Sequence, residues 1–535
     1  MGDNEILQQN LLRRQAVGDF LKRTTKRYPD RVAFRFRDKV FTYQQLDSAV
    51  NRACHALKEL GFQKGDVMAI LSQNCHQMAI LMWACFKSGI WYAPVNFLLK
   101  GPEIVYQVNH CDAKIFIVES AFLDTVKAVS GELKSIRKYG MINLAGINLP
   151  EGWVNVDDLF SDHYPATEPE VIINGEDVAS IIYTSGTTAA PKGALLSNGS
   201  YFSQAANFLI PSGPGIEETD NMMLNIPLFH VGASSIFVAF AKVGGRVAFT
   251  YGIDPGEALD LIQKEKITGL IWPPTLYAGL LYMPLEKYDL SSLRKCVWFG
   301  GSMPLDVLQK WMDLCPGATF GVHWSQTEIN ITGTITYFKD KKLPRAGNII
   351  GRSLLDTEIM IVDGQDHEVA PGEVGEIVLR TPSAMLGYYK DKEKTAETLR
   401  NGWLHTGDVG QLGEDGFYYF VDRVKDMIKS GGENVSCLEV EEALNAHPDV
   451  LVSAVFGAPH PYWIEGVTAV IVPASDRLTE DNLMEYARST IAKHKVPKKF
   501  ILVKGHELPV SPTGKVLKRE LRKIYQDIYK DAKGK

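Results

Sequence analysis

At 535 residues the chain is too long for one ordinary hydrophobic core and should divide into two or more domains. Its 45% apolar and 22% charged residues fit a soluble globular protein, and a net charge of -6 excludes a general nucleic-acid binder, because no basic excess exists to neutralise phosphates. Seven scattered cysteines form no CxxC pair; they suit a reducing, cytoplasmic setting and are expected as small buried apolar groups.

The start, MGDNEI, reads as neither a signal peptide nor a myristoylation signal, and the end, KGK, as neither a prenylation nor a peroxisomal tag. From Thr42, a helix cap, apolar residues recur at Leu46, Val50, Ala53, Leu57 and Leu60, which predicts a helix closed by Gly61. Strand Val67 to Leu71 follows, then a helix from Met78 to Ser88 ended by Gly89, then strand Ala113 to Val118. This alternation predicts layered α/β structure. The longest apolar stretch, Met78 to Phe86, is broken by Lys87 and is too short to cross a membrane, so no integral membrane association is expected.

Asp177 to Ile182 reads as a buried strand running into Tyr183 to Gly193, YTSGTTAAPKG. Glycine lets backbone N–H groups approach an anion, hydroxyls add donors and Lys192 adds charge, so the stretch predicts a phosphate loop. It is not a Walker A loop, since no GKS or GKT follows. Asn225 to Gly232 is an apolar segment containing His230; Val297 to Pro304 is a strand running into a Gly-Gly turn; Gly321 to Glu328 crowds His323, Trp324, Thr327 and Glu328 at a strand end. From Ile359 short alternating strands predict a β-rich section. After Lys425 a compact α+β unit is expected: helices at Cys437 to Asn445 and Asn482 to Lys493, strands at Leu451 to Phe456, Thr468 to Val472 and Phe500 to Val503, and a turn bearing Lys515.

These pieces, in this order from FTYQQL at residue 41 to SPTGK at residue 511, resemble the adenylate-forming superfamily of acyl-CoA synthetases, luciferases and adenylation domains. The resemblance implies an α/β fold with a large N-terminal domain, residues 1–424, and a small mobile C-terminal domain, residues 425–535, hinged at Lys425. It implies an ATP-dependent acid:CoA ligase that passes through an acyl-adenylate, with ATP, Mg²⁺ and coenzyme A as cofactors and co-substrate. Thr184, Ser185, Gly186, Thr187, Thr188 and Lys192 match the loop around the departing phosphates, and Gly301, Ser302 and Met303 the backbone lining adenine. Trp324 stands where a stacking tyrosine is usual; Thr327 matches an α-phosphate contact and Glu328 the Mg²⁺ carboxylate. Asp408 and Arg423 match the ribose site, Lys515 the lysine of the adenylation step, Lys429 a lysine of the second step, and Gly431 and Gly432 the path of the CoA arm.

The acid pocket implied by the resemblance draws on His230, Ala233, Trp298, Phe299, Val322 and His323, an apolar and aromatic set suited to an aliphatic or aryl carboxylic acid. A separate carrier protein or oxygen is the alternative acceptor, a homodimer is allowed, and nucleic acid is not expected as a partner. Retention of Glu328, Asp408 and Lys515 argues against a regulatory protein that has lost catalysis. Four departures stand out: Ala189 where glycine is common, Trp324-Ser325 for Tyr-Gly, Ser197-Asn198 for Thr-His, and Ile464 at a frequent glycine position.

Overall fold

The computed structural model describes residues 3–184, 191–210, 215–252, 254–338, 344, 348–430, 433–510, 516–530 and 532. The chain divides into two compact units, residues 1–359 with 379–404, and residues 360–378 with 405–535.

The first unit is mixed α/β. Its local signals act as the side chains dictate: Thr42 caps the helix Tyr43–Glu59 by accepting from the Gln45 N–H, while Gln45 returns a bond to the Thr42 N–H. Gly89, at φ 71°, ends the helix His76–Ser88 in the left-handed conformation that glycine adopts without strain. That helix is buried from Gln77 to Ser88, which is why its sequence is apolar on every face.

One sheet runs in parallel order through Thr319–Trp324, Lys295–Phe299, Gly269–Trp272, Asn221–Leu224, Arg246–Phe249 and Val32–Phe36, with antiparallel neighbours Thr334–Phe338 and Lys39–Thr42. A second sheet has the order Gly387–Tyr388, Lys192–Ser197, Val178–Thr184, Trp91–Val95, Val67–Leu71, Ile115–Glu119, Lys138–Ile142 and Val154–Asn155. Residues from both sheets, with those of the helices His76–Ser88 and Val231–Val243, form one continuous core. The loop ends that the sequence marks as chemical therefore stand on rigid supports.

Gly375–Arg380, Trp403–Leu412 and Tyr418–Arg423 are successive neighbours in a β section, the first two strands running from one unit into the other at residues 378 and 405 and the third lying in the second unit. A further sheet pairs Val450–His460 with Ile464–Pro473, which also binds Ile428–Ser430 and, in parallel, Lys499–Leu502. Helices Cys437–Asn445 and Glu480–Thr490 bury their apolar stripes in one core, and Lys518–Ile524 contributes Leu521 to another. All seven cysteines are buried free thiols. No helix among the described residues is long and apolar enough to cross a membrane.

Candidate active site

Thr184 ends the strand Val178–Thr184 and Lys192 opens the strand Lys192–Ser197, the two being register partners. The predicted phosphate loop between them, with Ser185, Gly186, Thr187, Thr188 and Ala189, lies outside the described residues, as do Gly431, Gly432 and Lys515. The ammonium of Lys192 sits 4.6 Å above the Tyr388 ring. Burial pulls its pKa down, Lys394 adds to that shift, and Glu328 opposes it.

Glu328 belongs to the short turn Thr327–Ile329 just after the strand Thr319–Trp324. Asn330 ends that turn at φ 45°, a region asparagine tolerates better than most residues. Its amide is buried and engaged at both ends: Ser235 Oγ donates to Oδ1 at 2.5 Å, and Nδ2 donates to Ser200 Oγ at 3.1 Å. Ser200 in turn donates to the Ser383 carbonyl at 2.7 Å. Two helices and a distant segment thus pin the turn that carries Thr327 and Glu328.

Residues 385–389 join the phosphate-loop strand to that turn. Leu386 and Tyr389 donate their N–H groups to the carbonyls of Leu195 and Gly193, and Met385 donates to the Glu328 carbonyl at 2.8 Å. The Tyr388 hydroxyl donates to Glu328 Oε1 at 2.7 Å. Burial, and then the Glu328 carboxylate, raise the Tyr388 pKa, so the phenol holds its proton and remains the donor. Sequence reading passed over Tyr388. The available signal was the Gly387-Tyr388-Tyr389 run after an apolar stretch, but a phenol and a carboxylate sixty positions apart leave no periodic mark.

Gly300, at φ 76°, turns the strand Lys295–Phe299 into the segment Gly301, Ser302 and Met303, and Met303 is buried and anchors it. Trp324 is buried at the end of its own strand, with Gly333 packed so close that a Cβ there would lie 2.3 Å from the Trp324 carbonyl oxygen.

The expected acid pocket divides between the two faces of the sheet. Phe299 and His323 are register partners, and His323 meets Phe208 edge to face at 5.5 Å on the side of the helix Val231–Val243, which carries Ala233 and is preceded by His230. Trp298 and Val322, each one residue away, point to the opposite face, where Trp298 stacks on Phe338 at 5.6 Å. The second pair therefore does not share space with the first. Burial lowers the pKa of both His230 and His323. The segment before His230 is held by Asn74, which donates to the Ile226 carbonyl at 3.0 Å and accepts from the Leu228 N–H at 2.7 Å. Asn74 too escaped the sequence reading.

Within the second unit, Asp408 is buried and forms an ion pair with Arg423 at 3.1 Å across neighbouring strands. Lys425 lies in the exposed turn after Arg423, where the Asp426 and Met427 N–H groups donate to the Arg423 carbonyl. Lys429 is exposed, and its N–H donates to Glu465 at 2.7 Å. Ile464 pairs with Ser430 and holds φ 69°, a conformation strained for a β-branched residue.

Residues 21–389 match the family model described as AMP-binding enzyme, and residues 439–515 match the AMP-binding enzyme C-terminal domain. A feruloyl-CoA synthase of an Amycolatopsis species is 32% identical over 96% of this chain and 100% of its own length. An indoleacetate–CoA ligase of Aromatoleum aromaticum is 30% identical over 95% of this chain and 98% of its own. The crystal structure of the anthranilate CoA ligase AuaEII with anthranoyl-AMP superposes with a TM-score of 0.87 at 27% identity, over 95% of this chain and 97% of that one. The cation after the hydroxyl-rich loop and the carboxylate after the strand meet on one tyrosine within a framework that these proteins share, and the chain belongs to the AMP-binding enzyme family.

Proposed function

We propose that the chain is an AMP-forming acid:CoA ligase acting on an aliphatic or aryl carboxylic acid. The acid's carboxylate attacks the α-phosphorus of ATP, the bond to the bridging oxygen breaks, and pyrophosphate leaves an acyl-adenylate. The CoA thiol then attacks the acyl carbonyl, AMP departs, and a thioester is formed. The observation that carries this reading is the Lys192, Tyr388 and Glu328 cluster, which sets one cation and one fixed carboxylate beside the end of the phosphate loop. The naming of the relatives as CoA ligases supports CoA over a carrier protein as acceptor.

Lys192 and the loop hydroxyls would meet the charge that gathers on the departing pyrophosphate. Thr327 would contact the α-phosphate, Asp408 with Arg423 would bind ribose, and Gly301 to Met303 would line adenine. Trp324 would lie beside the base. Lys515 would offset the repulsion between carboxylate and phosphate, and Lys429 would serve the thiol step, with Lys425 as the hinge and Gly431 and Gly432 along the thiol's approach. On this reading the boundary between the two functional domains would fall between residues 424 and 425.

Glu328 fits Mg²⁺: a hard carboxylate oriented through one oxygen, beside phosphates, is how that ion is commonly held, and it needs no cage of protein ligands. Bound there, Mg²⁺ would supply positive charge to the phosphate oxygens. Seven buried free thiols support a cytoplasmic setting, and the reading allows a homodimer.

The test is incubation of the purified chain with MgATP, CoA and a panel of aliphatic and aryl acids, following AMP, pyrophosphate and thioester. Equal yields of all three are expected with the preferred acid. ATP consumption without thioester would rule out the CoA ligase.

A further inference from the structure

We infer, resting on the ligase reading above, that Glu376 is a positioning residue for the nucleotide: it acts through Gly407 to aim the Asp408 carboxylate at the ribose hydroxyls. Glu376, Gly407 and Asp408 all belong to the second unit.

Asp408 follows Gly407, which holds φ 67° in the middle of the strand Trp403–Leu412. A left-handed residue breaks the alternation of an extended strand and so decides where the next side chain points. Glycine enters left-handed and extended conformations with similar ease, so its surroundings must make the choice. Packing does not make it: among the described residues beyond its chain neighbours, a Cβ built on Gly407 would meet nothing within 4 Å. Hydrogen bonds do. Oε1 of Glu376, on the strand Gly375–Arg380, accepts from the Gly407 N–H at 2.9 Å, and the Gly407 carbonyl accepts from the Val424 N–H at 2.9 Å.

Glu376 is itself held in place. Its Oε2 lies 3.0 Å from Nδ1 of the buried His405, and a ring nitrogen that faces a carboxylate is the one that carries the proton, so His405 donates. Thr406 adds a second tie between the two strands: its Oγ1 donates to the Ile377 carbonyl at 2.6 Å and accepts from the Asp408 N–H at 3.0 Å. Asp408 is 2% exposed and paired with Arg423, so its direction follows from the backbone that carries it.

A glutamate suits this task because its two oxygens fix a peptide N–H and an imidazole at once, and bonds to a charged acceptor are the stronger kind. An apolar residue at 376 would release the Gly407 N–H, and the glycine could turn to another conformation and carry Asp408 with it. ATP and the acyl-adenylate contain the same ribose. Loss of Glu376 should therefore weaken nucleotide binding in both steps rather than stop one of them.

The experiment compares wild type, Glu376→Gln, Glu376→Asp and Glu376→Ala with ATP, 2′-deoxyATP and 3′-deoxyATP, following pyrophosphate release with the preferred acid and CoA. Calorimetry gives the binding of AMP, 2′-deoxyAMP and 3′-deoxyAMP to the same proteins. Wild type is expected to favour ATP over at least one deoxy form by about tenfold or more in kcat/KM, because the analogue leaves a charged acceptor without its hydroxyl. Glu376→Ala should bring that ratio below about threefold, with KM for ATP raised roughly tenfold and kcat changed less. Glu376→Asp, whose shorter side chain draws the carboxylate back from Gly407, should do the same, and it decides the matter if the Ala variant does not fold. Glu376→Gln keeps an acceptor for the Gly407 N–H and should keep the ratio. A residue that only supported the fold would lower the unfolding midpoint and slow all three nucleotides alike. That unchanged ratio in Glu376→Asp and Glu376→Ala overturns the inference, as does a wild type that discriminates neither deoxy form. If no acid is activated, the ligase reading is what fails, and the AMP titrations still decide the role of Glu376: collapse of the binding ratio in the Asp and Ala variants supports it, and survival of the ratio, or absence of any nucleotide binding, refutes it.

Discussion

Tyr388 holds the carboxylate of Glu328 with a single hydrogen bond of 2.7 Å, and its ring lies under Lys192. A hydrogen bond to a charged group is worth about 1.5–3 kcal/mol, so Tyr388→Phe should lower kcat/KM for MgATP by roughly tenfold or more while keeping the ring that Lys192 covers. The Mg²⁺ concentration for half-maximal rate should rise with it. An unchanged Mg²⁺ dependence would show that Tyr388 only packs. His323 gives a pH prediction. Its folded pKa of about 4 lies below the ordinary 6.5, so its contribution to stability is complete above pH 6.5 and is lost as the pH falls towards 4, where the unfolded chain binds a proton that the folded chain does not. The gap corresponds to roughly 3 kcal/mol. Thermal unfolding at pH 7 and pH 4.5 should show a smaller acid loss for His323→Gln than for wild type; equal losses would count against a neutral buried ring.

At the scale of elements, much was legible because the signals are local. Thr42 with Gln45 opens its helix and Gly89 closes its own; the helix predicted at Cys437 to Asn445 has those bounds. Strands predicted as Leu451 to Phe456 and Thr468 to Val472 run longer, as Val450–His460 and Ile464–Pro473, because mutual pairing extends them past their apolar centres. The split of the acid pocket was also readable in principle, since Trp298 and Phe299 are adjacent on a strand and must face opposite ways. The Asn74 clamp and the Tyr388 link were not readable, because each depends on chain crossings with no local pattern. Ile464 lies between these cases: the family resemblance implies a glycine position, and the hairpin keeps the left-handed backbone with a β-branched side chain in it. Replacing it with glycine relieves about 1–2 kcal/mol of strain and gives back about 0.4–1 kcal/mol in unfolded-state entropy. Ile464→Gly should therefore stabilise the second unit by about 0.5–1 kcal/mol, seen as a higher unfolding midpoint. A lower midpoint would mean that the exposed isoleucine gains contacts that outweigh its strain.

At the scale of the whole molecule, the proposed chemistry asks for two different kinds of help. In the first step an anionic carboxylate approaches a polyanionic phosphate, and the cost is electrostatic, so a cation near both is the main requirement. In the second step a thiol attacks an uncharged acyl carbonyl, and the demand is a clear path and a group to orient the nucleophile. One lysine in one place serves the first demand and is of little use to the second. The second unit carries both candidates, Lys515 and Lys429, and the latter stands exposed on a strand whose backbone Glu465 holds at 2.7 Å. Lys515→Ala should depress acyl-adenylate formation by about a hundredfold or more, while a supplied acyl-adenylate is still converted to thioester at a rate near wild type. Lys429→Ala should do the reverse, with adenylate made and accumulating when CoA is present. Rapid-quench measurement of each half-reaction separates these outcomes. Equal loss of both steps in either variant would mean that a single arrangement of the two units serves the whole reaction, and the hinge proposed at Lys425 would lose its purpose.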